Sequence, residues 1–280
     1  MQTKDSLDIY VKELGIGKDT VIIVHGGFGA NHYYMLDAIK GLENKYHFIL
    51  YDQRGSLLSP APLEKLTFQK NVDDLFLLIK QLKLKKVKIM SHSMGTLVSM
   101  EFLKQHPEMV SNLVLIGCIP TKSDSISSVF SNRVNEQMTY LSERKELKDL
   151  IKPYQERENT LSDKEKTEYW RIQFASGNIY KIENYNLLKG GRAFYNQNAA
   201  IMGQTLNWQY DYRPVLNANG KVTIIQGDYD FLDFNADNHK KLLTDYPKVQ
   251  IKVIKNAGHN IWIDDPVLFK NNLVIALDRK

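Results

Sequence analysis

Short apolar runs alternate with longer amphipathic stretches along most of this chain. Six apolar or β-branched runs predict buried strands, at residues 20–24, 46–51, 87–90, 113–116, 222–226 and 249–254. Apolar residues three and four positions apart predict helices, at residues 68–82, 95–106, 235–243 and 266–277. Strands that alternate with helices predict an α/β fold, a mostly parallel sheet flanked by helices on both faces.

The alternation stops between about residue 120 and residue 212. This stretch is charged, favours helix, is rich in aromatic residues and contains no convincing buried strand. We expect a helical cap domain at residues 121–212, inserted into a core domain made of residues 1–120 and 213–280. Insertions at the end of a sheet often cover a site. The alternative is a helical domain with its own core and no contact with a ligand.

Composition and charge exclude several classes of protein. The 280 residues are 43% hydrophobic and 25% charged, as in a globular protein that can bury a sizeable core. The 37 Lys and Arg against 32 Asp and Glu give a net charge of +5 without a dense basic tract, so nucleic acid is not an expected partner. No apolar run is long enough to span a membrane.

The number of cysteines and the first residues of the chain indicate the cellular compartment in which we expect the protein. The single cysteine, Cys118, cannot form a disulfide within the chain. The first residues lack the apolar core of a signal peptide. If Met1 is the native start, these features predict a cytoplasmic protein.

The segment Ser91-His-Ser-Met-Gly95 lies between a predicted strand and a predicted helix. In the pattern G-x-S-x-G, a sharp strand-to-helix turn exposes the central serine, and the residues two positions away must be small. Ser91 replaces the first glycine here, and Gly95 is intact. The pattern predicts Ser93 as a nucleophile. The alternative is an ordinary serine-rich turn that caps a helix.

A nucleophilic serine needs a base, and the base needs a carboxylate. His259 follows the last predicted strand, and Asp228 and Asp230 follow the strand at 222–226. The order serine, aspartate, histidine is the one expected for this type of sheet. We favour Asp230 as the acid, with Asp228 and the more distant Asp124 as alternatives. Taken singly, His259 could be a surface histidine and the aspartates part of a turn.

An acyl-transfer site also needs backbone donors for the oxyanion. The N–H group of Met94, directly after the nucleophile, is one candidate. The loop His25-Gly-Gly-Phe-Gly29 follows the first predicted strand, and its Gly27 or Phe28 would supply the other. The alternative for this loop is a plain tight turn after a strand.

Together these motifs resemble the α/β-hydrolase fold, and most closely the proline iminopeptidases. The similar segments are His25-Gly-Gly-Phe-Gly29, Asp52-Gln-Arg-Gly-Ser-Leu-Leu-Ser59 and Gly227-Asp-Tyr-Asp230, and the resemblance covers residues 18–118 and 220–278. It implies Asp230 as the acid and Gly27 and Met94 as oxyanion donors. The residues that depart from the family pattern are Phe28, Leu57, Ser91 and Met94.

The resemblance also suggests where a substrate would bind. Those peptidases hold the free amine of the substrate with cap glutamates. The segment Tyr169–Ala175 is similar to one glutamate-bearing segment but has Phe174 at the glutamate position, and residues 182–185 are similar to another, which makes Glu183 a candidate amine anchor. An exposed, solvated glutamate is the commoner alternative. The candidate substrate-binding residues are Phe28, Trp170, Phe174 and Glu183.

The sequence therefore predicts a serine hydrolase that works through an acyl-enzyme. The resemblance implies an aminopeptidase of the proline iminopeptidase type, acting on a short peptide or a small molecule. A carboxylesterase, thioesterase or carbon–carbon bond hydrolase on the same triad is the alternative, and a non-catalytic small-molecule receptor is an alternative from another class. We expect no metal and no organic cofactor, since no metal-ligand spacing or dinucleotide fingerprint is present.

Overall fold

A seven-stranded sheet organises the computed structural model, which describes residues 1–189 and 195–280. The strands are β1 Val11–Leu14, β2 Asp19–Val24, β3 Tyr46–Tyr51, β4 Val87–His92, β5 Val110–Ile116, β6 Lys122–Ser123, β7 Tyr210–Asp211, β8 Val222–Gly227 and β9 Gln250–Ile254. Strands β6 and β7 form a separate two-stranded sheet, and the order of strands in the seven-stranded sheet is β1-β3-β2-β4-β5-β8-β9. Only the β1–β3 pair is antiparallel among these described neighbours, which confirms the mostly parallel α/β fold.

Helices cover both faces of the sheet. The α-helices are α1 Leu36–Ile39, α2 Phe68–Gln81, α3 Gly95–Gln105, α4 Ile126–Val129, α5 Asn132–Ser142, α6 Lys145–Gln155, α7 Asp163–Asn178, α8 Arg213–Asn219, α9 Asp237–Leu242, α10 Ile261–Asp264 and α11 Pro266–Leu277. The 3-10 helices are His32–Met35, Leu63–Lys65, Pro107–Met109, Glu158–Thr160, Ile182–Leu187, Gln197–Gln204 and Phe234–Ala236. One core cluster packs α2, α3 and α8 on the sheet, and the other packs α1, α10 and α11 on the opposite face.

Local sequence explains where these elements begin. Thr67 caps α2 because its hydroxyl accepts the N–H of Lys70 at 3.3 Å. Asp265 caps α11 in the same way, and Pro266 occupies the first helical position, where no N–H donor is needed. The central strands β4 and β8 are almost wholly buried, as their apolar runs predict.

The sequence pattern does not predict strand β1, and it predicts a later start for strand β5. The edge strand β1 carries Lys12 and Glu13 and is half-buried, so it has no apolar run to reveal it. Strand β5 begins at Val110, earlier than predicted, because its polar residues find partners there. The Ser111 hydroxyl donates to Val87 O at 3.0 Å, and the Asn112 amide donates to Arg279 O at 2.8 Å.

The helices α4–α7 follow strand β5 and lie outside the sheet. Strands β6 and β7 pair antiparallel at the base of this segment, Lys122 opposite Asp211 and Ser123 opposite Tyr210. The end of α7 is tied to the core because the buried Asp264 carboxylate accepts the Tyr180 N–H at 2.9 Å. The boundaries 121 and 212 of a separate cap domain stay a prediction. Within the described ranges, no helix has the length and apolar character needed to cross a membrane.

Candidate active site

The turn between β4 and α3 holds Ser93 in a strained conformation. Its φ of +52° lies in the left-handed region, which non-glycine residues rarely adopt. The turn leaves no room for side chains beside it. A Cβ on Gly26 would lie 2.6 Å from Ser93 Cβ, and a Cβ on Gly95 would lie 2.3 Å from His25 O. These contacts explain why Gly95 is needed, while Ser91 is tolerated as a buried residue at the end of β4.

His259 is paired with one of the three candidate carboxylates. Its Nδ1 lies 2.8 Å from Asp230 Oδ2, and both residues are buried. A proton on Nδ1 leaves Nε2 able to accept another. Asp228 instead accepts the backbone N–H of Ala257 at 3.2 Å, and Asp124 is exposed. The structure therefore brings Asp230 to His259 and places the two alternatives elsewhere.

Gly117, at the end of β5, lies directly against this pair. A Cβ at Gly117 would lie 2.7 Å from both Cε1 and Nδ1 of His259, and 3.1 Å from Asp230 Oδ2. The φ of Gly117 is +51°. Sequence analysis did not single out this residue, although a glycine that ends an apolar strand is a signal of close approach.

Ser93 and His259 open into one cavity of about 340 Å³. Its walls include five aromatic residues: Tyr34, Trp170, Phe174, Tyr195 and Phe231. Trp170 and Phe174 come from α7, one helical turn apart, and their rings stack with centroids at 5.1 Å and an interplanar angle of 11°. The helical segment after β5 thus contributes directly to the cavity, and an apolar ligand surface would find matching walls there.

The two predicted oxyanion donors come from different parts of the chain. Gly27 lines the cavity, and its φ of +60° fits the sharp turn after β2. Met94 directly follows Ser93 and precedes the first residue of α3. A backbone N–H group at a helix start and one from a glycine turn are typical donors of an oxyanion site, and the roles of Met94 and Gly27 stay a prediction.

The structure corrects two of the four predicted substrate-binding residues. Trp170 and Phe174 line the cavity, but Phe28 does not: it is 5% exposed and packs against Phe68 in the hydrophobic core, with ring centroids 6.3 Å apart. Glu183 lies on the exposed side of the 3-10 helix Ile182–Leu187, outside the lining that the described residues form. It is therefore not positioned as an amine anchor.

A chain of hydrogen bonds runs behind the nucleophile. The Gly26 N–H donates to Tyr34 Oη at 2.6 Å, and Tyr34 Oη lies 2.8 Å from His92 Nδ1. His92 Nε2 lies 3.1 Å from His259 O. Burial, aided by the neighbouring His259, lowers the pKa of His92 well below its usual value, so the ring is neutral. The chain ties together the glycine loop, the serine turn and the loop of His259, and sequence analysis missed Tyr34.

The segment after β3 supports the glycine loop from the other side. The Gln53 N–H donates to His25 Nε2 at 3.0 Å, while His25 Nδ1 lies 2.8 Å from Gly26 O. Burial lowers the pKa of His25 to about 4, which keeps the ring neutral in this arrangement. The buried Arg54 guanidinium donates to both Asp74 oxygens, at 2.7 and 2.8 Å, and anchors the segment to α2.

The charged groups around the cavity are few. Among the described lining residues there is no Asp or Glu, and the only Lys or Arg is Lys189. Lys189 Nζ lies 2.7 Å from Asp37 Oδ1 at the partly exposed edge of the cavity. Over residues 1–189 and 195–280, no three His, Cys, Asp or Glu side chains are grouped so that they could hold a metal ion.

Comparisons with known proteins agree with this fold. A family model described as alpha/beta hydrolase fold matches residues 19–266, which is most of the chain. The chain is 26% identical over 306 residues to a proline iminopeptidase of Neisseria meningitidis, covering 96% of this chain and 91% of that protein. It is 23% identical over 278 residues to ethanol acetyltransferase 1 of Eremothecium cymbalariae, covering 91% and 74%. A solved esterase of Exiguobacterium antarcticum superposes with a TM-score of 0.66 at 20% identity, covering 99% and 97%.

Proposed function

The chain belongs to the α/β-hydrolase family, and we propose that it is a serine hydrolase that cleaves carboxylic esters through an acyl-enzyme. One observation carries the proposal: Ser93, held in a left-handed conformation, opens into the same cavity as His259, whose Nδ1 lies 2.8 Å from the buried Asp230. A serine exposed in this way, a histidine and a carboxylate that orients the histidine are the parts that acyl transfer requires.

Each residue has a role in the proposed reaction. Ser93 Oγ attacks the ester carbonyl carbon while His259 Nε2 takes the hydroxyl proton, and Asp230 stabilises the imidazolium. The N–H groups of Gly27 and Met94 bind the oxyanion that forms. When the carbonyl re-forms, the alcohol leaves with the proton from His259. Water then attacks the acyl-enzyme with the same proton transfers, releasing the acid and Ser93.

The charge around the cavity favours an ester over a substrate with a free amine. An ammonium group needs a carboxylate partner when it leaves water. The described lining contains no Asp or Glu that could pair with an ammonium group, and its one cation, Lys189, is already paired with Asp37. The aromatic walls suit an apolar acyl or alcohol group instead. Similarity to an ethanol acetyltransferase adds support, because an acetyl group joined to ethanol is an ester.

An aminopeptidase of the proline iminopeptidase type is the second candidate. It is favoured by the similarity to the Neisseria meningitidis protein along nearly the whole of both chains. It is also favoured by the resemblance of the segment Asp52–Ser59, in which Gln53 braces the glycine loop and Arg54 anchors the segment to α2. The displaced position of Glu183 leaves this candidate without its expected amine anchor.

Parallel hydrolysis assays separate the candidates. We expect turnover of p-nitrophenyl butyrate and none of proline p-nitroanilide or its N-acetylated form. Ser93→Ala should abolish ester turnover, and Glu183→Gln should leave it unchanged. Turnover confined to the free-amine anilide would establish the aminopeptidase and refute the ester proposal. Binding of these compounds without any turnover would instead support a receptor.

A further inference from the structure

A polar side chain next to the candidate base has no partner among the residues that the structure describes. Asn260 directly follows His259, lines the cavity and is only 4% exposed. Its backbone is fixed, since its N–H donates to Asn178 O at 2.7 Å and its carbonyl accepts the Ile263 N–H at 2.9 Å. Its side-chain amide makes no hydrogen bond to any residue in the described ranges.

The position of Asn260 makes this lack of a partner informative. Asn260 precedes α10, where an asparagine ordinarily accepts a backbone N–H of the first helical turn. It forms no such bond. Asn31 provides the contrast, because at the start of the 3-10 helix His32–Met35 its side chain accepts the Tyr33 N–H at 2.9 Å. The amide of Asn260 therefore opens into the cavity and is not used as a helix cap.

We infer that Asn260 is a substrate-binding residue, and that the substrate carries an oxygen acceptor close to the ester bond. The inference rests on the proposed hydrolase and deepens it. The amide faces the cavity and loses access to water when a substrate fills it, and a ligand oxygen that accepts from Nδ2 then replaces that water. The surrounding walls are mainly aromatic, so this amide is a specific polar contact in a largely apolar site. The substrate class is an ester with a hydroxyl or carbonyl oxygen near the scissile group.

The oxygen could belong to the acyl part or to the alcohol part of the ester. Two matched pairs distinguish these sources: ethyl 3-hydroxybutyrate against ethyl butyrate, and 2-hydroxyethyl butyrate against propyl butyrate. Hydrolysis is followed in a pH-stat by the acid released. We expect the wild type to prefer the oxygen-bearing ester in one pair by about 3- to 10-fold in kcat/KM, the effect of one neutral hydrogen bond.

Two variants test whether Asn260 causes the preference. Asn260→Ala and Asn260→Leu, which keeps the branched shape of the side chain, should reduce the ratio to about 1. Their thermal midpoints should match the wild type, because no internal hydrogen bond is lost. Asn272→Ala is the control: this half-buried residue on α11 has an amide that donates to Leu268 O, and its removal should leave the ratio unchanged.

The outcomes separate the inference from the proposed function. Equal rates within both pairs for the wild type, or a preference that survives in both Asn260 variants, would overturn the role of Asn260 while leaving the hydrolase intact. Failure of the wild type to hydrolyse even the plain esters would refute the proposed function itself, and the inference with it.

Discussion

Gly117→Ala should disable the candidate site without removing any polar group. The new Cβ would lie 2.7 Å from two atoms of the His259 ring, where carbon contacts normally lie at about 3.5–4.0 Å. The ring must therefore move by about 1 Å. It is held on its other sides by His92 and Phe231, whose ring centroids lie 4.4 and 4.9 Å from its own. Movement would also strain the hydrogen bond to Asp230.

The size of the effect follows from this displacement. A misplacement of about 1 Å at a reacting group can cost about 100-fold in rate. We therefore expect kcat for p-nitrophenyl butyrate to fall by about 100-fold, with a smaller change in KM, since Trp170 and Phe174 do not contact Gly117. The left-handed backbone at Gly117 adds a stability cost of about 1–2 kcal/mol for alanine.

Gly41→Ala provides the matched control. Gly41 also has a positive φ, +89°, but a Cβ there would meet nothing within 4 Å. It should lose stability through the backbone and keep its full kcat. Steady-state kinetics and urea unfolding of both variants measure the two effects separately. A Gly117→Ala enzyme with wild-type kcat would refute the placement of His259 against this glycine.

Three further predictions concern stability, each read from the free energy of unfolding in urea. Arg54→Met should cost about 3–5 kcal/mol, because it leaves Asp74 buried and unpaired, and Arg54→Met with Asp74→Leu should recover most of this. Burial alone would lower the pKa of His239, but Asp233 and Cys118 raise it to about 10. The stabilisation that the charged His239 ring provides is complete below about pH 6.5 and is lost as the pH rises towards 10. The free energy of unfolding should therefore fall over this pH range in the wild type and not in His239→Gln. Ser91→Ala should stabilise by about 1 kcal/mol, because the buried Ser91 hydroxyl has no hydrogen-bond partner among the described residues.

Features that depend on residues close together in the sequence, or on their order along it, could be predicted. The central strands carry short apolar or β-branched runs, and the turn around Ser93 combines a strand, small residues and a helix start. The order of Ser93, Asp230 and His259 along the chain follows from the position of each at the end of a parallel strand. Even the choice of Asp230 over Asp228 agrees with the hydrogen bonds in the structure.

Features that depend on distant contacts were not predictable. Tyr34 and His92 are 58 positions apart, and only the fold shows that they share a hydrogen bond. Phe28 lies in a loop that borders the cavity, yet its side chain packs against Phe68 in the core. Glu183 matches a family segment in sequence, but the 3-10 helix that carries it exposes it to solvent. The direction of a side chain is set by tertiary packing, and the spacing of residues along the sequence does not reveal it.

The central claim is that Ser93 is the nucleophile, and fluorophosphonate labelling tests it most directly. The wild type and Ser93→Ala are treated with the probe, and the modified peptide is identified by mass spectrometry. The account predicts a single adduct on Ser93 and none in Ser93→Ala, with slower labelling of Asp230→Asn because His259 loses its orienting carboxylate. An unlabelled wild type, or an adduct that persists in Ser93→Ala, would contradict it.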